Sequence, residues 1–303
     1  MKVLWIKDGN IGHEKQVKVL LDELSKTLTL NIDSREIKGI FPIFTYLEDV
    51  QEKYYDLIIG AGHRTYSSLL DTKKYQKERC ITLAVLSPTF KRNEFDIICA
   101  PLHDKNKLKH LNNVVYFEGS LARVCDDDPD QNIVMVGLGG KNKHYHFNEE
   151  HIIAQISYFI SLQPNKKCYV FNSRRTPNSM NKRLERLFYD NESVVFIDFN
   201  NKSVSFESIL HIASSKLITR DSVNMVYESL SSRGNTYLID MKNYKTNKVV
   251  EVINTLIADK QIGYIDCNDI IDGISKMQLR KQNKHNQVYA EVEKVAFKIS
   301  KLL

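Results

Sequence analysis

Long apolar runs, paired cysteines and nucleotide-binding fingerprints are all missing from this chain. No segment of its 303 residues approaches the roughly 20 consecutive apolar residues that a bilayer-spanning helix needs. At the start, Val3-Leu4-Trp5-Ile6 is followed at once by Lys7 and Asp8, an apolar stretch too short for a signal peptide. Residence in the cytosol is the expectation. Cys80, Cys99, Cys125, Cys168 and Cys267 are odd in number and show neither CxxC nor Cys/His spacing, and three of them sit inside apolar runs. They read as reduced core thiols and not as metal ligands. The absence of GxGxxG with a following acidic residue leaves a nicotinamide enzyme without its usual signature. Tandem repeats with periods of about 20 to 50 residues and low-complexity segments are also missing. No nucleic-acid-binding motif occurs and the aromatics do not interleave with basic residues, so nucleic acid is not an expected partner.

What remains is ordinary globular composition, 42% hydrophobic and 26% charged, with a mild net charge of +6. Short apolar runs alternate with helix-length segments, the pattern of successive β-α units around a parallel sheet. In the first half strands are expected near Val3 to Ile6, Asp56 to Gly60, Ile81 to Leu86, Asp96 to Cys99 and Val114 to Phe117, with helices near Lys15 to Leu28 and Thr65 to Lys73. The pattern restarts with strands near Asn132 to Leu138, Lys167 to Phe171, Val194 to Asp198, Lys216 to Thr219 and Thr236 to Asp240. Between the halves, Asp126-Asp127-Asp128-Pro129-Asp130 is a like-charged, proline-containing break. Nothing apolar precedes it closely enough to hold it rigid, so it reads as a solvated linker and not as a metal-binding acidic motif. The expected fold class is α/β, two doubly wound Rossmann-like domains facing a ligand cleft, with residues 1–125 and 131–270 as the domains. Residues 271–303 carry seven Lys/Arg against three Asp/Glu around an apolar stripe of Val288, Val292, Val295, Ile299 and Leu302, which predicts an amphipathic terminal helix. Its basic face is either solvated or laid against anionic lipid headgroups, each Lys/Arg then contributing on the order of 1 kcal/mol.

The polar turns that follow the strands hold the chemistry. Ser173-Arg174-Arg175-Thr176-Pro177 follows the apolar run Lys167 to Phe171, and cationic residues at the carboxyl end of a parallel strand are where open α/β sheets bind anions. Two guanidinium groups beside two hydroxyls suit a diphosphate. Thr219-Arg220-Asp221-Ser222 opens a helix in the same way. Asp221 and Ser222 can cap that helix, and the helix end can also bind phosphate, with Glu228 about two turns on. Glycine turns at Asp8-Gly9-Asn10-Ile11-Gly12-His13-Glu14 and at Gly137-Leu138-Gly139-Gly140-Lys141 let the backbone approach a ligand. His13, with Asp8 to orient it, is placed to act as a general base on a hydroxyl, or else to cap the helix or bind substrate. Arg64 in Gly60-Ala61-Gly62-His63-Arg64-Thr65 can hold an anion, and His103 with Asp104 forms a further polar edge. These residues imply no metal.

Taken in order, the turns resemble the elongated-mitochondria (mitochondrial fission) family, whose bacterial members look like glycosyltransferases of the GT-B fold. The matching stretches are DGNIGHEKQ (Asp8 to Gln16), GAGHRT (Gly60 to Thr65), FDIICAPLHD (Phe95 to Asp104), GGKNKHY (Gly139 to Tyr145), SRRTP (Ser173 to Pro177) and TRDSVNMVYE (Thr219 to Glu228). The chain departs from the family pattern at Ile11, usually proline, and at Arg220, usually a small residue. The resemblance implies an N-terminal domain that binds a saccharide or glycolipid acceptor, through Gly12, Arg64, His103 and Asp104 beside the catalytic His13 and Asp8. It implies a C-terminal domain that binds a nucleotide-sugar donor through Gly139, Gly140, Ser173, Arg174, Arg175, Thr176, Asp221, Ser222 and Glu228, the last on the ribose. Transfer would need no metal or other cofactor, and the last helix would return to the first domain. Cell-envelope polysaccharide or lipopolysaccharide assembly is the setting this suggests. A plant member resembles an adaptor that recruits a fission GTPase to a membrane surface, so a non-catalytic binding protein is the alternative.

Overall fold

Strands buried along their length can only be central strands of a sheet covered on both faces, and β-α alternation then makes that sheet parallel. The computed structural model, which describes residues 1–37, 53–77, 79–201, 203–271, 274–282 and 288–303, follows this logic twice. The chain forms two units, Met1–Arg123 with Ala290–Leu303, and Val124–Tyr289.

The first unit contains β1 (Lys2–Lys7), α1 (Ile11–Leu24), β2 (Asn31–Glu36), β3 (Leu57–Ala61), α2 (His63–Lys73), β4 (Ile81–Val85), β5 (Ile97–Pro101), α3 (Lys105–Leu108) and β6 (Val114–Phe117). The sheet order is β2-β1-β3-β4-β5-β6, parallel throughout. β3 and β5 are buried at every residue, and Leu4, Ile6, Ile58, Leu69 and Ile98 centre the core. The order reverses between β1 and β3, the position where doubly wound sheets open a crevice for ligands. β2 (NIDSRE) carries almost no apolar signal. It is an edge strand held by its backbone register with β1, Lys2 opposite Asn31 through Lys7 opposite Glu36.

The second unit contains β7 (Asp130–Gly137), α4 (Glu149–Ser161), β8 (Lys167–Phe171), α5 (Asn178–Phe188), β9 (Val194–Ile197), α6 (Phe206–Ile212), β10 (Ala213–Thr219), α7 (Val223–Leu230), β11 (Asn235–Ile239), α8 (Lys248–Ala258), β12 (Gly263–Ile271) and β13 (Ile274–Arg280). The sheet order is β13-β12-β11-β10-β7-β8-β9 and only β12 with β13 runs antiparallel. Here the reversal falls between β7 and β10. β10 is buried at all its residues, including Lys216, whose Nζ donates to the carbonyls of Ser229, Ser232 and Arg233 and to Ser232 Oγ at 2.7–3.1 Å. The lysine's donors thus satisfy carbonyls at the C-terminal end of α7 and just beyond it.

Three expectations change. Residues 271–303 are not one helix. Lys276 to Arg280 alternate polar and apolar residues, the period of a strand, and Met277 and Leu279 pack on the second core in the β12-β13 hairpin. Residues 272–273 and 283–287 of that expected helix lie outside the described residues. The helix that does form, α9 (Glu291–Ser300), buries Val292, Val295, Ala296 and Ile299 against α1 and β6 of the first unit, while Val288 lies before it and Leu302 is 55% exposed. Each of the buried aliphatic side chains contributes on the order of 1.5–3 kcal/mol. The run Asp126 to Asp130 belongs to the second unit. Arg233 Nε and Nη1 hold Asp126 and Asp128 at 2.7 and 2.9 Å, and Asp130 begins β7. Cys80, Cys99 and Cys168 are buried thiols, whereas Cys125 and Cys267 are only half-buried. Among the described residues no helix is long and apolar enough to cross a membrane.

Candidate functional site

In the first unit the reversal point is built by the turns after β1 and β3. Asn10 caps α1 by accepting the Gly12 N–H at 3.0 Å, which starts the helix at Ile11, earlier than its apolar spacing suggests. The same turn folds Asp8 under the helix. The carboxylate is 8% exposed, and it accepts the Asn10 N–H through Oδ1 at 2.9 Å and meets His13 Nδ1 through Oδ2 at 2.7 Å. Binding Nδ1 to a carboxylate fixes the imidazole tautomer and leaves Nε2 as the atom available for proton transfer. His13 is 28% exposed, so solvent-borne groups can reach it. Gly62 closes the other side. It has φ +88°, and a Cβ there would lie 2.3 Å from His13 Nδ1 and 2.8 Å from Asp8 Oδ2. Only glycine lets β3's turn approach the dyad this closely.

Arg64 is exposed and donates through Nη1 to the Asp8 carbonyl at 3.2 Å, joining the β3 turn to the β1 turn. Asp104, after β5, accepts from Ser87 Oγ at 2.8 Å, and His103 Nε2 stands 3.9 Å from the same carboxylate oxygen. These groups all stand at the carboxyl edge of one sheet. The Gly12 N–H, taken by Asn10, is not directed to a ligand.

In the second unit the turns after β7, β8 and β10 interlock. Gly139 N–H donates to Thr219 Oγ1 at 2.8 Å, and Gly140 N–H donates to Asp221 Oδ2 at 2.9 Å. Ser173 Oγ and Thr176 Oγ1 both donate to the Gly139 carbonyl, the first at 2.8 Å, and Asn142 Nδ2 donates to the Asp221 carbonyl at 3.0 Å. A Cβ on Gly140 would fall 2.0 Å from the Arg175 carbonyl oxygen, so the two turns touch backbone to backbone. The hydroxyls of SRRTP therefore hold the loop together. Thr219, Asn142 and Gly62 lie in the motifs read from the sequence but received no role there, because their work is packing turn on turn and their types are unremarkable in a loop.

The two arginines divide. Arg175 Nη2 pairs with Asp221 Oδ2 at 2.8 Å, the Asp221 side chain being fully buried, while Asp221 Oδ1 has no partner among the described residues. Arg174 is exposed and has no hydrogen bond or ion pair among the described residues. Ser222 stands at the N-cap of α7 but its hydroxyl does not cap, so the first-turn amides from Val223 are left for water or an anion. Glu228 lies in the second turn of the same helix. Arg220 is 12% exposed and pairs with Asp240 Oδ1 at 3.2 Å, and burial pulls its pKa down. It is a buried structural cation and not part of the exposed anion-facing set.

The family model described as mitochondrial fission ELM1 matches residues 11–302 of this chain. No curated protein sequence matches it. Among solved structures, the UDP-GlcNAc 2-epimerase of Methanocaldococcus jannaschii is similar at TM-score 0.54 and 11% identity, covering 99% of this chain and 100% of that one. The Neisseria meningitidis UDP-GlcNAc 2-epimerase, solved bound to UDP-GlcNAc, is similar at TM-score 0.54 and 13% identity, covering 100% and 99%. CalG4, the calicheamicin glycosyltransferase, is similar at TM-score 0.51 and 8% identity, covering 99% and 89%. At these identities the likeness shows the fold, two Rossmann-like domains of the GT-B class.

Proposed function

Because the chain belongs to the mitochondrial fission ELM1 family and has the GT-B fold, we propose that it is a metal-independent glycosyltransferase moving a sugar from a nucleotide-activated donor to a hydroxyl acceptor. The observation that carries this reading is the Asp8–His13 dyad at 2.7 Å, with Nδ1 engaged and Nε2 open. A purely adaptor surface has no use for an oriented imidazole.

In this mechanism His13 Nε2 takes the acceptor hydroxyl proton as the new oxygen–carbon bond forms at the sugar's anomeric carbon, and Asp8 stabilises the imidazolium. The bond from that carbon to the donor phosphate oxygen breaks, and its electron pair leaves with the nucleoside diphosphate. Charge developing on the phosphate is met by Arg174 and by the first-turn amides and Ser222 hydroxyl of α7. Arg175 contributes its remaining donors while holding Asp221. Gly139 and Gly140 bring backbone close to the phosphates, with Ser173 and Thr176 bracing them, and Glu228 takes the ribose. Fixed cationic and backbone donors do here what a divalent ion does elsewhere, so no cofactor is required. On the acceptor side Arg64, His103 and Asp104 orient a saccharide or glycolipid, with Gly12 giving space. A cytoplasmic role in envelope polysaccharide assembly, at the inner face of the membrane, fits a lipid-linked acceptor.

Calorimetry with nucleotide sugars, UDP-GlcNAc first, tests the reading. Binding that is unaffected by added Mg2+ and weakened by Arg174→Ala supports it. Absence of any nucleotide-sugar binding, with a protein partner retained instead, favours the adaptor.

A further inference from the structure

The carboxyl edge of the second sheet holds one cluster that the transfer chemistry does not use. His151 in the first turn of α4, Asp240 just after β11 and Cys267 in β12 bring one imidazole nitrogen, one carboxylate oxygen and one sulfur within 4.8 Å of one another, all three half-buried. The ligands come from three separate elements, so no CxxC or Cys/His spacing announces them. We propose that these three side chains form a Zn2+ site, with water in the fourth position.

The surroundings are built for it. Gln155, four residues after His151 on α4, grips Asp240 from both sides, its Oε1 accepting the Asp240 N–H at 2.6 Å and its Nε2 donating to the Asp240 carbonyl at 2.9 Å. The same Nε2 lies 3.3 Å from the His151 carbonyl, which ties the two ligands to one amide. Arg220 Nη2 pairs with Asp240 Oδ1 at 3.2 Å, the kind of outer hydrogen bond that ligating carboxylates usually have. Cys267 lies where the β12-β13 register shifts between Asp266 and Asp269, and a bulge of this kind re-aims a side chain. Nitrogen, sulfur and oxygen from three residues with one open position is a donor set that Zn2+ accepts, and soft thiolate argues against Mg2+ or Ca2+. Tetrahedral ligands stand about 3.3–3.8 Å apart, so the cluster closes on the ion by side-chain shifts of roughly 1 Å.

Binding forms Zn–N, Zn–O and Zn–S bonds and releases the thiol proton to solvent. His151, Asp240 and Cys267 are not among the groups assigned to the donor phosphates. The metal would clamp α4, β11 and β12 together and take no part in transfer.

The test uses the full chain, stripped with chelator and titrated with Co2+ and then with Zn2+. One equivalent of Co2+ should give a thiolate-to-cobalt charge-transfer band and tetrahedral visible bands, both bleached by Zn2+. Cys267→Ser should lose the charge-transfer band, while Cys125→Ser keeps it. His151→Gln, at a half-buried helical position that keeps the fold, should weaken Zn2+ by at least about tenfold, since losing even an outer-shell partner costs 10–100-fold. No charge-transfer band in the wild type, or the same band and affinity in Cys267→Ser or His151→Gln, would overturn the site. Nucleotide plays no part in this titration, so its result stands apart from that of the transferase reading.

Discussion

Gly62→Ala separates the chemistry of the dyad from the stability of its turn. Gly62 has φ +88° and ψ 157°, a region that only glycine occupies readily, so an alanine there costs about 1–3 kcal/mol in backbone strain. The new methyl would start 2.3 Å from His13 Nδ1 and 2.5 Å from Cε1, where ordinary contact needs about 3.5 Å. The imidazole must retreat by about 1 Å, which stretches its 2.7 Å contact with Asp8 past hydrogen-bond range and costs on the order of 100-fold in rate. Gly9→Ala is the control. Gly9 also has positive φ, +76°, but among the described residues its Cβ would meet only Glu36 Oε1 at 3.5 Å, so it carries strain without touching His13. Urea unfolding and acceptor-dependent release of nucleoside diphosphate are the assays. Both variants should lose stability, only Gly62→Ala should lose turnover, and both should bind donor as the wild type does. A Gly62→Ala protein that turns over at the wild-type rate, or a Gly9→Ala protein equally inactive, would refute the reasoning.

Arg174→Ala should weaken nucleotide-sugar binding at least about tenfold by calorimetry with unchanged stability, because removing a charge-assisted partner costs about 1.5–3 kcal/mol and Arg174 has no partner among the described residues. Arg175→Ala should also lower the unfolding free energy measured in urea, by about 1–2 kcal/mol, since it strands the buried Asp221 carboxylate while the half-exposed arginine was partly screened. Gly140→Ala should unfold the loop and abolish donor binding, its Cβ colliding with the Arg175 backbone. Burial pulls the Lys216 pKa down from 10.5 to about 7. Between those values the unfolded chain binds a proton that the folded chain does not, so this lysine makes stability rise with pH across that window and stay flat below it. Lys216→Met should remove up to about 1.4 kcal/mol per pH unit of that slope, read by urea titrations at pH 7 to 9.

Most of the parallel framework was legible because central strands such as Leu57–Ala61 and Ile97–Pro101 are near-continuous apolar runs bounded by glycine or polar turns. β2 was not, since an edge strand needs only its backbone and NIDSRE offers no apolar period. The β12-β13 hairpin was hidden by lysines that suit a basic helix as well as the outer face of a strand, and the period-two spacing of Met277 and Leu279 was the signal that separates them. At the candidate site the residue types were readable, but not their allocation. Ser173, Thr176 and Arg175 look like Arg174 in a motif, and only the coordinates reveal that the first three brace Gly139 and Asp221. The His151-Asp240-Cys267 cluster had no linear spacing to find.

The central claim is that His13, oriented by Asp8, deprotonates an acceptor hydroxyl. Its most direct test is acceptor-dependent nucleoside diphosphate release by His13→Ala beside wild type, across a panel of nucleotide sugars, with donor affinity measured on the same samples. Turnover is expected in the wild type, with a loss of about 100-fold or more in the variant and donor affinity within about twofold, because a general base contributes about 10² to 10⁴ and acts on the acceptor. A variant that transfers at the wild-type rate, or a wild type that releases no nucleoside diphosphate from any donor, would contradict it.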